Sequence, residues 1–327
     1  MAVYTQVSAE ELGDFLTRFD VGELVSAKGI AEGVENSNYL VDTTGANGKG
    51  ARFILTLYEK RVAAGDLPYF MGLLDHLAAK GLAVPPAIKD REGREIHELA
   101  GRPACLIQFL PGVSVSHPNV AQAHAAGRAM AEMHKAVADF PLDRPNSMGV
   151  ETWKPLFERC GRSLDQIQPG FHDDMATAIG EVLANWNAGD FDQCAVHADL
   201  FPDNVLMLGD KVTGLIDFYF ACTDVRLYDL AIMHAAWAFD ATGRTFHAAV
   251  GETLIAGYEA VFPLTEQERA AFNGFAAGAC IRFTLSRAWD WLNTPADALV
   301  MRKDPLAFWR RLKVYDPDLA ARLKTLT

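Results

Sequence analysis

The hydrophobic pattern of this chain changes period once, near residue 110, and that change limits the fold more than any other feature. Before it, short strand-like runs occur at 23–30, 36–44, 52–60, 94–99 and 103–110. Alternation with period two turns one face of a strand toward a core. After it, apolar residues recur every three or four positions over 119–140, 171–188, 228–240, 246–260, 265–293 and 304–324, which predicts helices. The expected organisation is a small, mainly antiparallel sheet domain over residues 1–109 and a larger, mainly helical domain over 110–327. This is an α+β chain in two lobes joined by a short hinge, and the cleft between such lobes is the expected ligand site.

Local signals support this reading. Ser8 and Glu11 in "SAEE" have the spacing of a capping box and predict a short helix that ends before Gly22. "GANGKG" at 45–50 is a turn between strands. A helix inserted at 66–80 is closed by Gly81, which can take the left-handed conformation after a last helical turn.

Half of the 327 residues are hydrophobic, enough for a sizeable core. Thirty basic against 42 acidic residues give a net charge of −12, which weighs against a broad nucleic-acid or anionic-membrane surface. Five scattered cysteines without a C-x-x-C pair argue against a disulfide framework or zinc site and fit a reducing cytoplasm. The first residues lack a basic segment followed by an apolar one, and no run of 18 apolar residues occurs. Neither a secretion signal nor a membrane span is expected.

The strand signals of the second half flank one polar loop, "HADLFPDNVL" at 197–206. Asn204 follows Asp199 by five residues, and Asp217 follows Asn204 by 13. Protein kinases space a catalytic aspartate, a metal-binding asparagine and a second metal-binding aspartate in a similar way. The chemistry explains the residue types. A phosphoryl-accepting hydroxyl needs a carboxylate that orients it and takes its proton. Mg²⁺ needs hard oxygen ligands, which an amide and a carboxylate provide. Asp199 is therefore the candidate base, and Asn204 and Asp217 the candidate metal ligands. His197 belongs to the same loop and is expected to brace it more than to carry protons. Asp203 is expected to face solvent. A plain β-hairpin turn would also use Asp, Asn and Pro, but it does not account for Asp217 at the end of an apolar strand.

Two further stretches suit a nucleotide. In "GIAEGVENSNYLV" (29–41) a glycine-containing turn, with Gly33, can lay backbone N–H groups over phosphates, and Asn36, Ser37 and Asn38 add side-chain donors. In "LIQFLPG" (106–112) the backbone near Gln108 and Leu110 can meet an adenine edge, or it can be a simple connector.

These residues, with "GLIDFYFACTDVRLYDLA" (214–231), resemble the aminoglycoside phosphotransferase and choline kinase superfamily. "ENSNY", "LTLYEKR", "RPNSMG" and "DWLNTP" narrow the resemblance to the homoserine kinases of that fold, over nearly the whole chain. The resemblance implies a protein-kinase-like fold, ATP and Mg²⁺ as cofactors, and phosphorylation of L-homoserine in threonine biosynthesis. It implies Asp199 as base and Asn204 and Asp217 as magnesium ligands. The superfamily's third-strand lysine, which holds phosphates, is replaced here by Thr56. Either Lys60 or Arg61 reaches in, or phosphate binding leans on the glycine turn, Asn38 and the metal.

A small zwitterionic acceptor needs a cation and an anion. Arg282, Arg287, Asp290 and Asp224 are the candidates, with the tryptophans of 282–295 as walls; alternatively those tryptophans are core and the charges are solvated pairs. Two rival functions remain at this level. One is a kinase of the same fold acting on choline, a thio-sugar or an aminoglycoside. The other is a nucleotide-binding scaffold without catalysis, which the intact Asp199, Asn204 and Asp217 set opposes.

Overall fold

The computed structural model describes residues 5–30, 36–59, 63–294 and 302–326. Gly33, Lys60 and Arg61 lie outside them. The chain divides into two compact units, residues 1–111 and 112–327.

In the first unit α1 (Ala9–Leu16) is opened by the Ser8–Glu11 capping box, with the Glu11 amide donating to Ser8 Oγ and the Ser8 amide to Glu11 Oε2. Then come β1 (Leu24–Ile30), β2 (Asn36–Thr43), β3 (Ala51–Tyr58), α2 (Leu67–Ala79), β4 (His97–Leu99) and β5 (Arg102–Gln108). The strands form one antiparallel sheet in the order β1-β2-β3-β5-β4. Leu12, Phe15, Leu16 and Phe19 pack with Val41, Leu55, Leu57 and Leu106 into its core. Gly81 has φ +82°, as expected of the residue that closes α2. The strand expected at 94–99 shrinks to His97–Leu99. Asp90 is the reason: its carboxylate accepts from the Glu92 and Arg94 amides and bends the preceding residues into a turn.

The second unit contains α3 (Val120–Ala136), α4 (Trp153–Cys160), α5 (Phe171–Ala184), β6 (Gln193–Val196), β7 (Val205–Leu208), β8 (Lys211–Leu215) and β9 (Cys222–Val225). It ends with α6 (Arg226–Trp237), α7 (Ala248–Glu259), α8 (Glu266–Asn293), α9 (Leu306–Tyr315) and α10 (Pro317–Arg322). Helix α8 is its spine: Phe275–Leu285 are buried without interruption, and α4, α5, α6 and α9 pack around it. The helix expected over 304–324 is broken in two, because Asp316 leaves the helical region and Pro317 restarts it. Helix α4 was not anticipated from the sequence.

Helices α3 and α7 touch through their backbones. A Cβ on Gly127 would lie 2.0 Å from the Leu254 carbonyl oxygen, and one on Gly257 would lie 2.1 Å from that of His124. Only glycine permits this approach, and it brings Tyr258 of α7 onto His134 of α3.

Candidate active site

The polar loop is not the tip of a hairpin. Strand β6, before it, pairs with β9, and β7, after it, pairs with β8. The loop therefore runs from one two-stranded sheet to another, and side chains from distant elements hold it.

Ala198 carries the strain. Its φ is +64°, unusual for a residue with a Cβ. Both of its backbone polar groups are held by buried charged side chains. Its N–H donates to Asp229 Oδ1 at 2.8 Å, and its carbonyl accepts from Arg282 Nη1 at 2.6 Å. Asp229 also accepts from the His197 amide at 2.8 Å and from His134 Nε2 at 3.0 Å. Burial opposes ionisation of Asp229, but His134, His197 and these hydrogen bonds outweigh it and hold its carboxyl below the usual range. The Tyr258 hydroxyl meets His134 Nδ1 at 2.8 Å and accepts from Arg226 Nη1 at 3.2 Å, and Arg226 pairs with Glu268 at 2.6 Å. A continuous polar network thus runs from α8 through α6, α7 and α3 into the loop. Asp229 sits in the first turn of α6, but Val225 is the N-cap, so Asp229 braces the loop and does not cap the helix.

His197 is fully enclosed, and burial lowers its basicity. Its Nε2 meets the Ile216 carbonyl at 2.9 Å, and the Asp199 amide donates to its Nδ1 at 3.3 Å. One neutral tautomer satisfies both bonds. The Ile216 amide donates to the Asn204 carbonyl at 3.0 Å. Ile216 is thus tied to the loop at both ends, and Asp217 is the residue that follows it in the chain. Asp217 is exposed, with φ +66°.

Asn204 donates its Nδ2 to the Asp199 carbonyl at 2.8 Å. Burial pushes the Asp199 carboxyl up to about 8; Arg282 and Lys303 counter this, while Asp217 and Asp203 add to it. Asp203 is exposed. The donor set fits a hard divalent cation. It offers oxygen ligands only, and among the described residues no group of three or more His, Cys, Asp or Glu side chains forms a cage. Magnesium is commonly held by one or two protein groups plus substrate phosphates.

The remaining candidates fall into different surroundings. In the first unit Ser37 is buried, donating to Glu59 Oε1 at 2.8 Å and accepting from the Thr5 amide at 3.0 Å. Asn36 is buried and accepts from the Glu59 amide at 3.3 Å. Asn38 lies opposite Thr56 across β2 and β3, and Thr56 Oγ1 donates to Asn38 Oδ1 at 2.8 Å. The Gln108 amide donates to the Pro86 carbonyl at 3.0 Å, whereas Leu110 makes no backbone hydrogen bond among the described residues. In the second unit Asp224 accepts from Asn146 Nδ2 at 2.6 Å and from the Val225 amide at 2.7 Å, and burial raises its pKa. Asp290 is half-buried near the end of α8. Arg282 is 2 % exposed and clamped to Ala198, while Arg287 stacks on Phe308 and Phe201 with centroid distances of 4.6 and 5.9 Å.

Sequence reasoning missed the buried network of His134, Tyr258 and Asp229. "HKA" in a helix gives no local hint that its histidine meets an aspartate 95 positions away.

Comparison with known proteins shows the family and the fold. The family model described as the phosphotransferase enzyme family matches residues 26–271. A homoserine kinase of Zymomonas mobilis is 50% identical over 317 residues, covering 96% of this chain and 97% of that protein. A homoserine kinase of Methylobacterium radiotolerans is 50% identical over 322 residues, covering 98% of each. Among solved structures, an amicoumacin kinase superposes with TM-score 0.71 at 15% identity, covering 95% of this chain and 94% of that one. A spectinomycin phosphotransferase superposes with TM-score 0.67 at 12% identity, covering 98% and 99%. At such identities these two structures establish the fold, an antiparallel sheet unit followed by a helical one as in protein kinases. A loop braced around Asp199, a fold shared with these kinases, and relatives half identical over nearly their full length lead to one conclusion: the chain belongs to the phosphotransferase enzyme family.

Proposed function

We propose that this protein transfers the γ-phosphoryl group of Mg-ATP to the side-chain hydroxyl of L-homoserine, giving O-phospho-L-homoserine for threonine biosynthesis. The observation that carries this reading is the Asp199–Asn204–Asp217 arrangement, held by hydrogen bonds in a chain half identical to homoserine kinases over 96% of its length.

Asp199 orients the acceptor hydroxyl and takes its proton as the oxygen–phosphorus bond forms and the bridging bond to the β-phosphate breaks. A carboxyl pushed up to about 8 is well matched to accept a proton near neutral pH. Asn204 and Asp217 would hold Mg²⁺, which supplies charge neutralisation for the phosphates. His197 keeps the loop in register and stays neutral. In the first unit Gly33, Asn38 and the backbone near Leu110 are assigned to the nucleotide. Asn36 and Ser37 shape that segment through Glu59. Arg282 and Lys303 lie within electrostatic reach of Asp199, as do Asp217 and Asp203, so the surroundings of the base carry both signs of charge, as a zwitterionic acceptor requires.

The test is ADP release with Mg-ATP and L-homoserine, D-homoserine, L-serine, choline or kanamycin as acceptor. A clear preference for L-homoserine supports the reading, and a preference for any other compound replaces it.

A further inference from the structure

Arg287 makes no direct ion pair, although Asp199, Asp304 and Asp203 lie within electrostatic reach of it. Its guanidinium stacks on Phe308 at 4.6 Å and on Phe201 at 5.9 Å, yet it has no hydrogen-bond or ion-pair partner among the described residues. Arg287 is half-buried, and the other covered arginines of this unit differ from it. Arg282 donates to the Ala198 carbonyl, Arg311 to the Ala235 carbonyl, and Arg226 to Glu268. A guanidinium partly withdrawn from water without a direct partner carries a desolvation cost, which a carboxylate of a bound ligand offsets.

Phe201 shows where the ligand lies. It belongs to the catalytic loop, two residues after Asp199, and it carries a second unpaired cation, Lys303, at 5.7 Å from its ring. Phe201 is itself held edge-on against Phe283 at 5.0 Å. Helix α8 therefore reaches the loop twice, with Arg282 locked on the backbone and Arg287 left open over the aromatic ring.

We infer that Arg287, with Lys303 beside it, holds the α-carboxylate of the acceptor amino acid and so sets the preference for an acceptor that has one. The inference rests on the homoserine reading above. In L-homoserine the carboxylate is separated from the reacting hydroxyl by an extended chain of roughly 5 Å. A hydroxyl at Asp199 thus leaves the carboxylate to be met by the next cations outward. Arg282 is not available for this role, because its Nη1 fixes the strained Ala198 carbonyl.

The experiment compares L-homoserine with 3-aminopropan-1-ol, the same acceptor without the carboxylate. Steady-state kinetics are measured for the wild type, Arg287→Gln and Arg287→Met, with thermal unfolding of each ligand-free protein. The expected result is a wild-type preference for L-homoserine in kcat/KM that collapses by about 100-fold in either variant, mostly through KM for L-homoserine. The ligand-free Arg287→Met protein is expected to melt no lower than wild type, because a half-buried charge without a direct partner has been removed. An unchanged acceptor preference in a folded variant overturns the inference. So does a rise in KM for ATP that is equal with both acceptors, which would place Arg287 on the γ-phosphate. Lower melting with intact preference marks Arg287 as purely structural and also overturns it. Failure of the wild type to use L-homoserine overturns the proposed function itself, a result distinguishable from the others because it appears before any substitution.

Discussion

Asn204 donates its side-chain amide to the main-chain carbonyl of Asp199 at 2.8 Å, and this bond decides which Asn204 atom is left for a cation. A carbonyl can only accept, so the nitrogen faces Asp199 and Oδ1 faces away. The candidate base and the candidate metal ligand are thereby fixed relative to each other by one hydrogen bond within the loop.

Asp199→Asn is expected to lose about 10²–10⁴-fold in kcat while still binding ATP. Steady-state kinetics and nucleotide titration check the two halves separately. Near-normal turnover would remove Asp199 from the role of base.

The same carboxyl sets a pH dependence. Its folded pKa, about 8, lies above the unfolded value, so between roughly pH 4 and 8 the folded state retains a proton that the unfolded state has released. Stability from this group therefore falls as pH rises through that window. Metal-free Asp199→Asn should melt higher than wild type, with the gain growing toward pH 8 and reaching on the order of a few kcal/mol. The residue is only partly covered, so solvent trims the effect. In catalysis kcat/KM should rise with pH toward a plateau above 8, with the kcat limb displaced to lower pH because a bound cation favours the carboxylate.

Asp217→Ala should raise the Mg²⁺ concentration needed for half-maximal activity, with smaller change in KM for the acceptor. A magnesium titration at saturating ATP reads this directly; an unchanged midpoint would show that Asp217 is not a ligand.

Asp229→Ala leaves the His197 and Ala198 amides and His134 without their buried acceptor. A loss of roughly 3–5 kcal/mol is expected in denaturant unfolding at neutral pH. The folded pKa of Asp229 is depressed, so its contribution is present above about pH 4 and disappears as pH falls below that value. Wild type and variant should converge in acid.

Gly127→Ala places a methyl group against the Leu254 carbonyl and should cost about 2 kcal/mol or more. Because α3 and α7 carry His134 and Tyr258, activity should fall with stability. A variant as stable as wild type would mean that the helices part without strain.

Thr56→Val removes the hydroxyl that fixes Asn38 and should raise KM for ATP by about 2–10-fold, leaving KM for L-homoserine nearly unchanged. An unchanged KM for ATP would exclude the pair from the phosphate contacts.

The sequence by itself determined what depends on neighbours along the chain. The Ser8 capping box, the Gly81 helix end and the spacing of Asp199, Asn204 and Asp217 are local patterns with local causes, and each was legible before any coordinates. Boundaries were less so: Asp90 shortened a strand and Pro317 divided a helix, through hydrogen bonding and backbone sterics that periodicity does not weigh. The tertiary structure decided partnership. Arg282 and Arg287 look alike in sequence, both basic residues on an apolar helix, but one is bonded to Ala198 and the other is left unpaired. His134 becomes a support of the catalytic loop only because two glycines let α3 and α7 meet backbone to backbone. Burial and pairing depend on elements far apart in the chain, and those conditions separate a charged residue that braces a loop from one left without a direct partner.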